Sequence, residues 1–296
     1  MNFLSFTNQL IQQKKAVNQE KTARNYLSAC RAFNSFLEAN SRQKLDISDI
    51  DTSLIELFEA HLLQHLQLKR NTSSAYMRSL RAAYNMAVRQ NLCADRHPFR
   101  TVYTGVDATR KRAVAHTELQ RLFQAQLPNH LYFSRDLFLF SFLAHGIAFI
   151  DLVQLRIFDI KGRHLYYSRS KTKQRISVPL SAYMQQIIHR YHQEGQTRLF
   201  PIVGETFSQR TYDTALHRYN QDLYNISSIL ELSTPLTSYC ARHSWASEAY
   251  RLSVPLSVIS TCMGHTSEQT TRIYLQSLDT DYLDEQTSVV ERNFQL

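Results

Sequence analysis

Apolar positions in the first hundred residues recur at intervals of three and four, the period of an amphipathic helix. Between residues 25 and 38 they are Tyr26, Cys30, Phe33 and Leu37. Asp51, Thr52 and Ser53 offer N-caps to a second stripe of Leu54, Leu57, Phe58 and Leu62. Asn71, Thr72 and Ser73 open a third, carrying Tyr76, Leu80, Tyr84 and Ala87. Phe3, Phe6, Leu10 and Ile11 predict one more over residues 1–13. The pattern predicts a small helical bundle ending near Pro98.

Periodicity stops between residues 99 and 115, where Gly105 and a basic run fall. It then resumes differently. Thr117 caps a short helix through Phe123, and Ser134 precedes a strongly apolar helix over residues 136–145. Another helix follows Gly146, with Ile150, Leu152 and Leu155. The apolar run 137–150 is interrupted by Ser141, His145 and Gly146 and is too short to span a bilayer, so it reads as buried. From His164, two β-rich segments flank a basic turn, which predicts a hairpin with Lys171 and Lys173 at its tip. Helices return over residues 182–192, 209–230 and 239–252, and Pro255 opens one over 256–263. The expected fold is mainly α with a small antiparallel β-sheet. The expected domains are 1–100, helical; 101–115, a basic linker; and 116–296, mixed α/β.

Composition narrows this further. Six glycines and six prolines among 296 residues suit long helices, and 43% apolar with 20% charged residues describes a globular chain. The net charge of +9 and pI near 9.4 favour a polyanionic partner. Arg78, Arg81 and Arg89 lie off the apolar stripe of the third helix, with Lys69 and Arg70 just before it. With Arg110, Lys111 and Arg112 of the linker, they are the expected contacts to nucleic-acid phosphates. Cys30, Cys93, Cys240 and Cys262 show no paired spacing, so neither a zinc site nor a disulfide framework is expected. No signal peptide opens the chain, and no internal repeat or phosphate-binding glycine loop occurs.

The chemistry concentrates in residues 237–275. Arg242-His243-Ser244-Trp245 is followed by Met263-Gly264-His265 and then by Thr270-Thr271-Arg272-Ile273-Tyr274. A phosphodiester under attack gains negative charge, which fixed cations and donors stabilise. Arg242 suits a bidentate clamp on its oxygens, His265 a donor to the same phosphate, and Tyr274 the nucleophile.

These boxes and their spacing resemble the second signature box of the tyrosine recombinases, the phage-integrase family. The resemblance implies a helical core-binding (SAM-like) domain before a mixed α/β catalytic domain. It implies site-specific cleavage and rejoining of DNA through a 3′-phosphotyrosine, with neither metal, ATP nor another cofactor. The implied partners are double-stranded DNA with inverted-repeat core sites and a homotetramer on paired sites, in the bacterial cytoplasm at the nucleoid and away from membranes. Lys171 matches the family's hairpin lysine, a general acid for the leaving 5′ oxygen, with Lys173 as the runner-up.

Two positions depart from the family. Tyr239 stands where a histidine is usual three residues before Arg242. In the first box, Gly146-Ile147-Ala148-Phe149-Ile150-Asp151-Leu152, Ala148 replaces the first catalytic arginine while Asp151 keeps the acidic position. This resembles a Bacteroidetes-type branch, often with a basic residue before the glycine, where this chain has His145. His145, Arg156 and Arg112 are the candidates for the missing charge.

The alternatives are a catalytically impaired site-specific DNA-binding protein of this fold and a type IB topoisomerase-like enzyme. The reaction would be DNA inversion, integration or excision, as in mobile elements. The chain opens almost directly on the core-binding helices, which favours a simple recombinase such as a DNA invertase. Leu283, Val289, Val290 and Phe294 suggest a tail helix, docking on a neighbouring protomer or on its own domain.

Overall fold

The computed structural model describes residues 1–17, 19–42, 44–107, 113–275 and 288, with 273 and 274 as backbone. The tail positions 283, 289, 290 and 294 lie outside the described residues. The chain divides into two compact units, Met1–Thr109 and Arg110–Leu296.

The first unit holds four α-helices: α1 (Phe3–Ala16), α2 (Glu20–Ala39), α3 (Thr52–Ala60) and α4 (Arg70–Arg89). The Asn2 side chain caps α1 by accepting from Ser5 N–H at 3.1 Å, and Asp51 caps α3 through Leu54 N–H at 2.8 Å. A π-type turn, His61–His65, extends α3. The expected apolar stripes meet in one core, where Phe33 contacts Phe3, Phe36 and Phe58 at centroid distances of 5.9, 6.2 and 4.9 Å. Each buried phenylalanine of this kind contributes roughly 1.5–3 kcal/mol.

Helix α4 differs from its expected start. It begins at Arg70 without a side-chain cap, and of the residues read as caps Asn71 serves the stretch after the bundle instead. Asn71 brackets Asp107, donating to its carbonyl at 3.0 Å and accepting from its N–H at 2.8 Å. Buried Ser74 donates to the Gly105 carbonyl at 2.5 Å. Phe99 and Val102 enter the same core. Of the stretch expected to link the units, residues 101–107 therefore pack on the first.

The second unit begins with α5 (His116–Gln124), α6 (Asn129–Leu143) and the single turn α7 (Phe149–Leu152). Strands β1 (Ile160–Lys161), β2 (His164–Ser168) and β3 (Arg175–Pro179) form an antiparallel sheet in that order. Helices α8 (Ala182–Tyr191), α9 (Gln209–Ile229), α10 (Cys240–Arg251), α11 (Leu256–Cys262) and α12 (Glu268–Leu275) complete it. Leu165 pairs with Val178 and Tyr167 with Ile176, so alternate residues face the core. Two-residue β1 was not expected, being too short to show alternation.

Helix α6 corrects the expected start and cap. It starts at Asn129, and Ser134 lies within it, donating to Asp222 Oδ2 of α9 at 2.7 Å rather than capping. The expected break between two helices at Gly146 is present. His145 (φ 57°) and Gly146 (φ 69°) take left-handed conformations that end α6 and turn the chain into α7. Among the described residues, no helix is long and apolar enough to cross a membrane.

Candidate active site

Helix α10 directs Arg242 inward until only 2% of it is exposed. Two carbonyls from different segments hold its guanidinium. Nη1 donates to Gly146 O at 2.9 Å and Nη2 to Met263 O at 2.5 Å. Nε is buried with no hydrogen-bond partner. A buried donor left unmatched is costly, and an oxyanion would satisfy it. Gly146 makes this placement possible, because its positive φ and its closeness to Arg242 exclude a side chain.

His265 follows Gly264 (φ 61°), which ends the α11 segment. It is buried, with Nε2 at 3.1 Å from Arg242 Nη2 and Nδ1 at 2.8 Å from Thr271 Oγ1 of α12. Burial and the charges of Arg242, Arg169 and Lys171 push its pKa down to about 4. At neutral pH the ring is uncharged.

The hairpin is fastened to this turn. Arg169 Nη1 and Thr172 Oγ1 both donate to Gly264 O, at 2.7 and 2.9 Å. Asp151 Oδ1 accepts from Ser170 N–H at 2.8 Å, which ties the first-box segment to the residue before Lys171. Lys171 is exposed in the connecting turn, as is Lys173, whose φ is 61°. Arg169 was missed by the sequence reading, although a signal existed. Leu165, Tyr167 and Arg169 occupy alternate positions along one inward face, which makes an arginine at its end conspicuous.

Tyr274 lies on α12, nine residues after His265; its backbone is described and its side chain is not. Tyr239 immediately precedes α10, 48% exposed, its ring edge-on to His243 at 5.0 Å. Ala148 starts α7, and its carbonyl accepts from Asp151 and Leu152 N–H.

The candidates for the missing charge fare differently. His145 packs against Trp245 at a centroid distance of 4.8 Å, with Nδ1 buried and unpartnered. Burial lowers its pKa, so the ring there is neutral. Arg156 is exposed, its guanidinium over the Phe158 ring at 5.5 Å. Arg112, with Arg110 and Lys111, lies outside the described residues.

On the first unit, Lys69 and Arg89 are exposed. Arg70 lies over the Tyr103 ring at 3.7 Å and meets Asp107 at 3.4 Å. Arg78 donates to Ser74 Oγ and Gly105 O at 2.9 and 2.7 Å, and Arg81 to Thr104 Oγ1 at 2.9 Å. These contacts leave donors of each planar fork for a phosphate. Among the described residues, no three His, Cys, Asp or Glu side chains gather where they could hold a metal ion.

A profile of the phage integrase family matches residues 112–281, and one of the phage integrase SAM-like domain matches residues 2–103. A search of curated protein sequences found no match. Among solved structures, a lambda integrase (75–356) dimer bound to a COC′ core site is similar, with a TM-score of 0.73 and 18% identity over 94% of this chain and 96% of that one. The Tn1549 transposon integrase in complex with a circular intermediate DNA gives a TM-score of 0.70 and 16% identity over 97% and 99%. At these identities the likeness is one of fold.

Proposed function

Because this chain belongs to the phage integrase family, we propose that it is a site-specific recombinase that cleaves and rejoins DNA through Tyr274. The Tyr274 phenol gives its proton to solvent water, and its oxygen bonds to the scissile phosphorus as the bond to the 5′ oxygen breaks. Lys171 protonates that leaving oxygen, which yields a 3′-phosphotyrosyl link and a 5′-hydroxyl. The 5′-hydroxyl of a partner strand then attacks the link and releases the tyrosine, so bond energy is kept throughout.

One observation carries this reading. Buried Arg242, His265 and Arg169 converge on the Gly264–His265 turn, which also receives the Lys171 loop and the start of the Tyr274 helix. Arg242 would clamp the phosphate through its unmatched Nε and remaining η protons. Arg169 brings a second guanidinium to the cluster and is our substitute for the arginine absent at Ala148. Tyr239 would donate its phenol proton to the same phosphate. The first unit, Met1–Thr109, is the core-binding domain of this proposal and the second, Arg110–Leu296, the catalytic domain. Lys69, Arg70, Arg78, Arg81, Arg89, Arg110, Lys111, Arg112 and Lys173 supply backbone contacts. The partner is duplex DNA with inverted-repeat core sites, bound by four protomers on two sites.

Ala148 motivates a second reading, a site-specific DNA-binding protein with impaired chemistry, since a methyl group cannot bind a phosphate. A nicked suicide duplex carrying the bound site separates the two. The wild type should become covalently attached to the DNA, and Tyr274→Phe should bind without attachment. Binding without attachment by the wild type would decide for the second reading.

A further inference from the structure

Arg70 is held differently from the other cations of α4. It opens the helix and is exposed, with its guanidinium carbon 3.7 Å from the centre of the Tyr103 ring. Its Nη1 donates to Asp107 Oδ1 at 3.4 Å, and the Tyr103 hydroxyl donates to the same oxygen at 2.6 Å. The platform is itself fixed. Tyr103 N–H donates to Glu59 Oε1 at 2.9 Å, and Asn71 grips the Asp107 backbone at both its carbonyl and its N–H. Gly105 leaves room for the ring, since a Cβ there would lie 2.7 Å from it. Arg78 and Arg81 of the same helix donate to neutral oxygens instead.

A phosphate contact needs charge and little orientation. A carboxylate beside the guanidinium works against it, because it repels the phosphate. A base edge is neutral and is read by direction. A planar fork tied to a carboxylate on one side and laid on an aromatic face is aimed in advance, so less order is lost on binding. With Nη1 turned to Asp107, Nε and Nη2 remain as two parallel donors that make no hydrogen bond to a described residue. The major-groove edge of guanine offers O6 and N7 as two acceptors that such a fork matches bidentately.

We propose that Arg70 is a specificity-determining residue that reads a guanine in the major groove of the target duplex, aimed by Asp107 and Tyr103 as positioning residues. This replaces, for Arg70 alone, the backbone contact that its charge suggested. Exposed Lys69, one residue earlier, stays a phosphate contact and serves as the control. The inference rests on the DNA-binding part of the function proposed above and not on strand cleavage.

The test selects binding sites for the full-length protein from a randomised duplex library. The wild type should enrich a motif, and Arg70→Ala and Arg70→Lys should enrich the same motif with one guanine position relaxed. On duplexes carrying the motif, replacing that guanine by adenine should weaken the wild type roughly 5–150-fold and leave Arg70→Ala unmoved. The slope of log affinity against log salt should be the same in both proteins. Lys69→Ala should weaken both duplexes equally and reduce that slope by about one. Asp107→Asn should lose most of the discrimination.

Discrimination that survives in Arg70→Ala, or a uniform loss across sequences with a smaller salt slope, would overturn the assignment. So would Asp107→Asn binding every sequence more tightly, since the carboxylate would then compete with DNA instead of guiding the arginine. A wild type that enriches no motif would overturn this inference together with site-specific recombination. A wild type that enriches one, yet forms no covalent complex on a nicked duplex carrying it, would sink strand cleavage alone and leave Arg70 as the reader.

Discussion

A Cβ added to Gly146 would lie 2.5 Å from the Cα of Arg242 and 2.9 Å from its Cβ. The obstacle is backbone and the root of a buried side chain, so neither can swing away. Gly146 also sits at φ 69°, which costs a residue with a side chain about 1–3 kcal/mol. Gly146→Ala should destabilise the protein by roughly that amount or more and lower covalent attachment to DNA. Chemical denaturation and the suicide duplex read the two effects separately. Unchanged stability would show that the Arg242 helix can retreat.

Arg169→Lys keeps the charge but loses the planar fork. If Arg169 stands in for the arginine missing at Ala148, covalent attachment should fall by roughly 10²–10³, the worth of one fixed donor to the transition state. Affinity for the site should change little. A variant as fast as wild type would remove Arg169 from the proposed chemistry and leave it as a hairpin fastener.

Asp151 should affect Lys171 at a distance. Its carboxylate is buried and accepts the Ser170 N–H at 2.8 Å. Asp151→Ala leaves that amide without its acceptor, and a hydrogen bond to a charged group is worth about 1.5–3 kcal/mol. Stability should fall within that range, and cleavage should fall further than a stability loss explains. Proteolysis of the 169–174 turn, faster in the variant, would report the loosened loop.

Stability should decline in acid through His265. Its pKa falls from 6.5 to about 4 on folding, chiefly because the ring is buried and then because Arg242, Arg169 and Lys171 oppose its charge. A depressed folded-state value means that the unfolded chain takes the proton first. The contribution is therefore complete above pH ~6.5 and is lost as pH falls toward ~4, amounting to roughly 3 kcal/mol over the full window. His145, lowered in the same direction by burial, adds to the slope. Urea unfolding at several pH values should show this, and His265→Asn should flatten it. An equal slope in both proteins would mean that other groups dominate.

Local chemistry made much of this chain legible. Three- and four-residue apolar spacing placed the helices of both units, because a helix packing on a core must present one apolar face. Alternation placed β2 and β3. Spacing along the chain also set Arg242, His265 and Tyr274 apart from the other arginines, histidines and tyrosines, since their chemistry needs fixed separations on neighbouring turns.

Other features were decided only when distant segments met. Asn71 looks like a helix cap, yet it holds Asp107, because hydrogen-bonding groups serve whichever backbone arrives. His145 could be read as a cation until Trp245 covered it and burial removed its charge. Arg169 entered the cluster through the strand register and the carbonyl of Gly264, 95 residues away. Periodicity and spacing are properties of one segment, so the sequence alone determined them. Charge state and close approach belong to pairs of segments, and only the tertiary structure decided those.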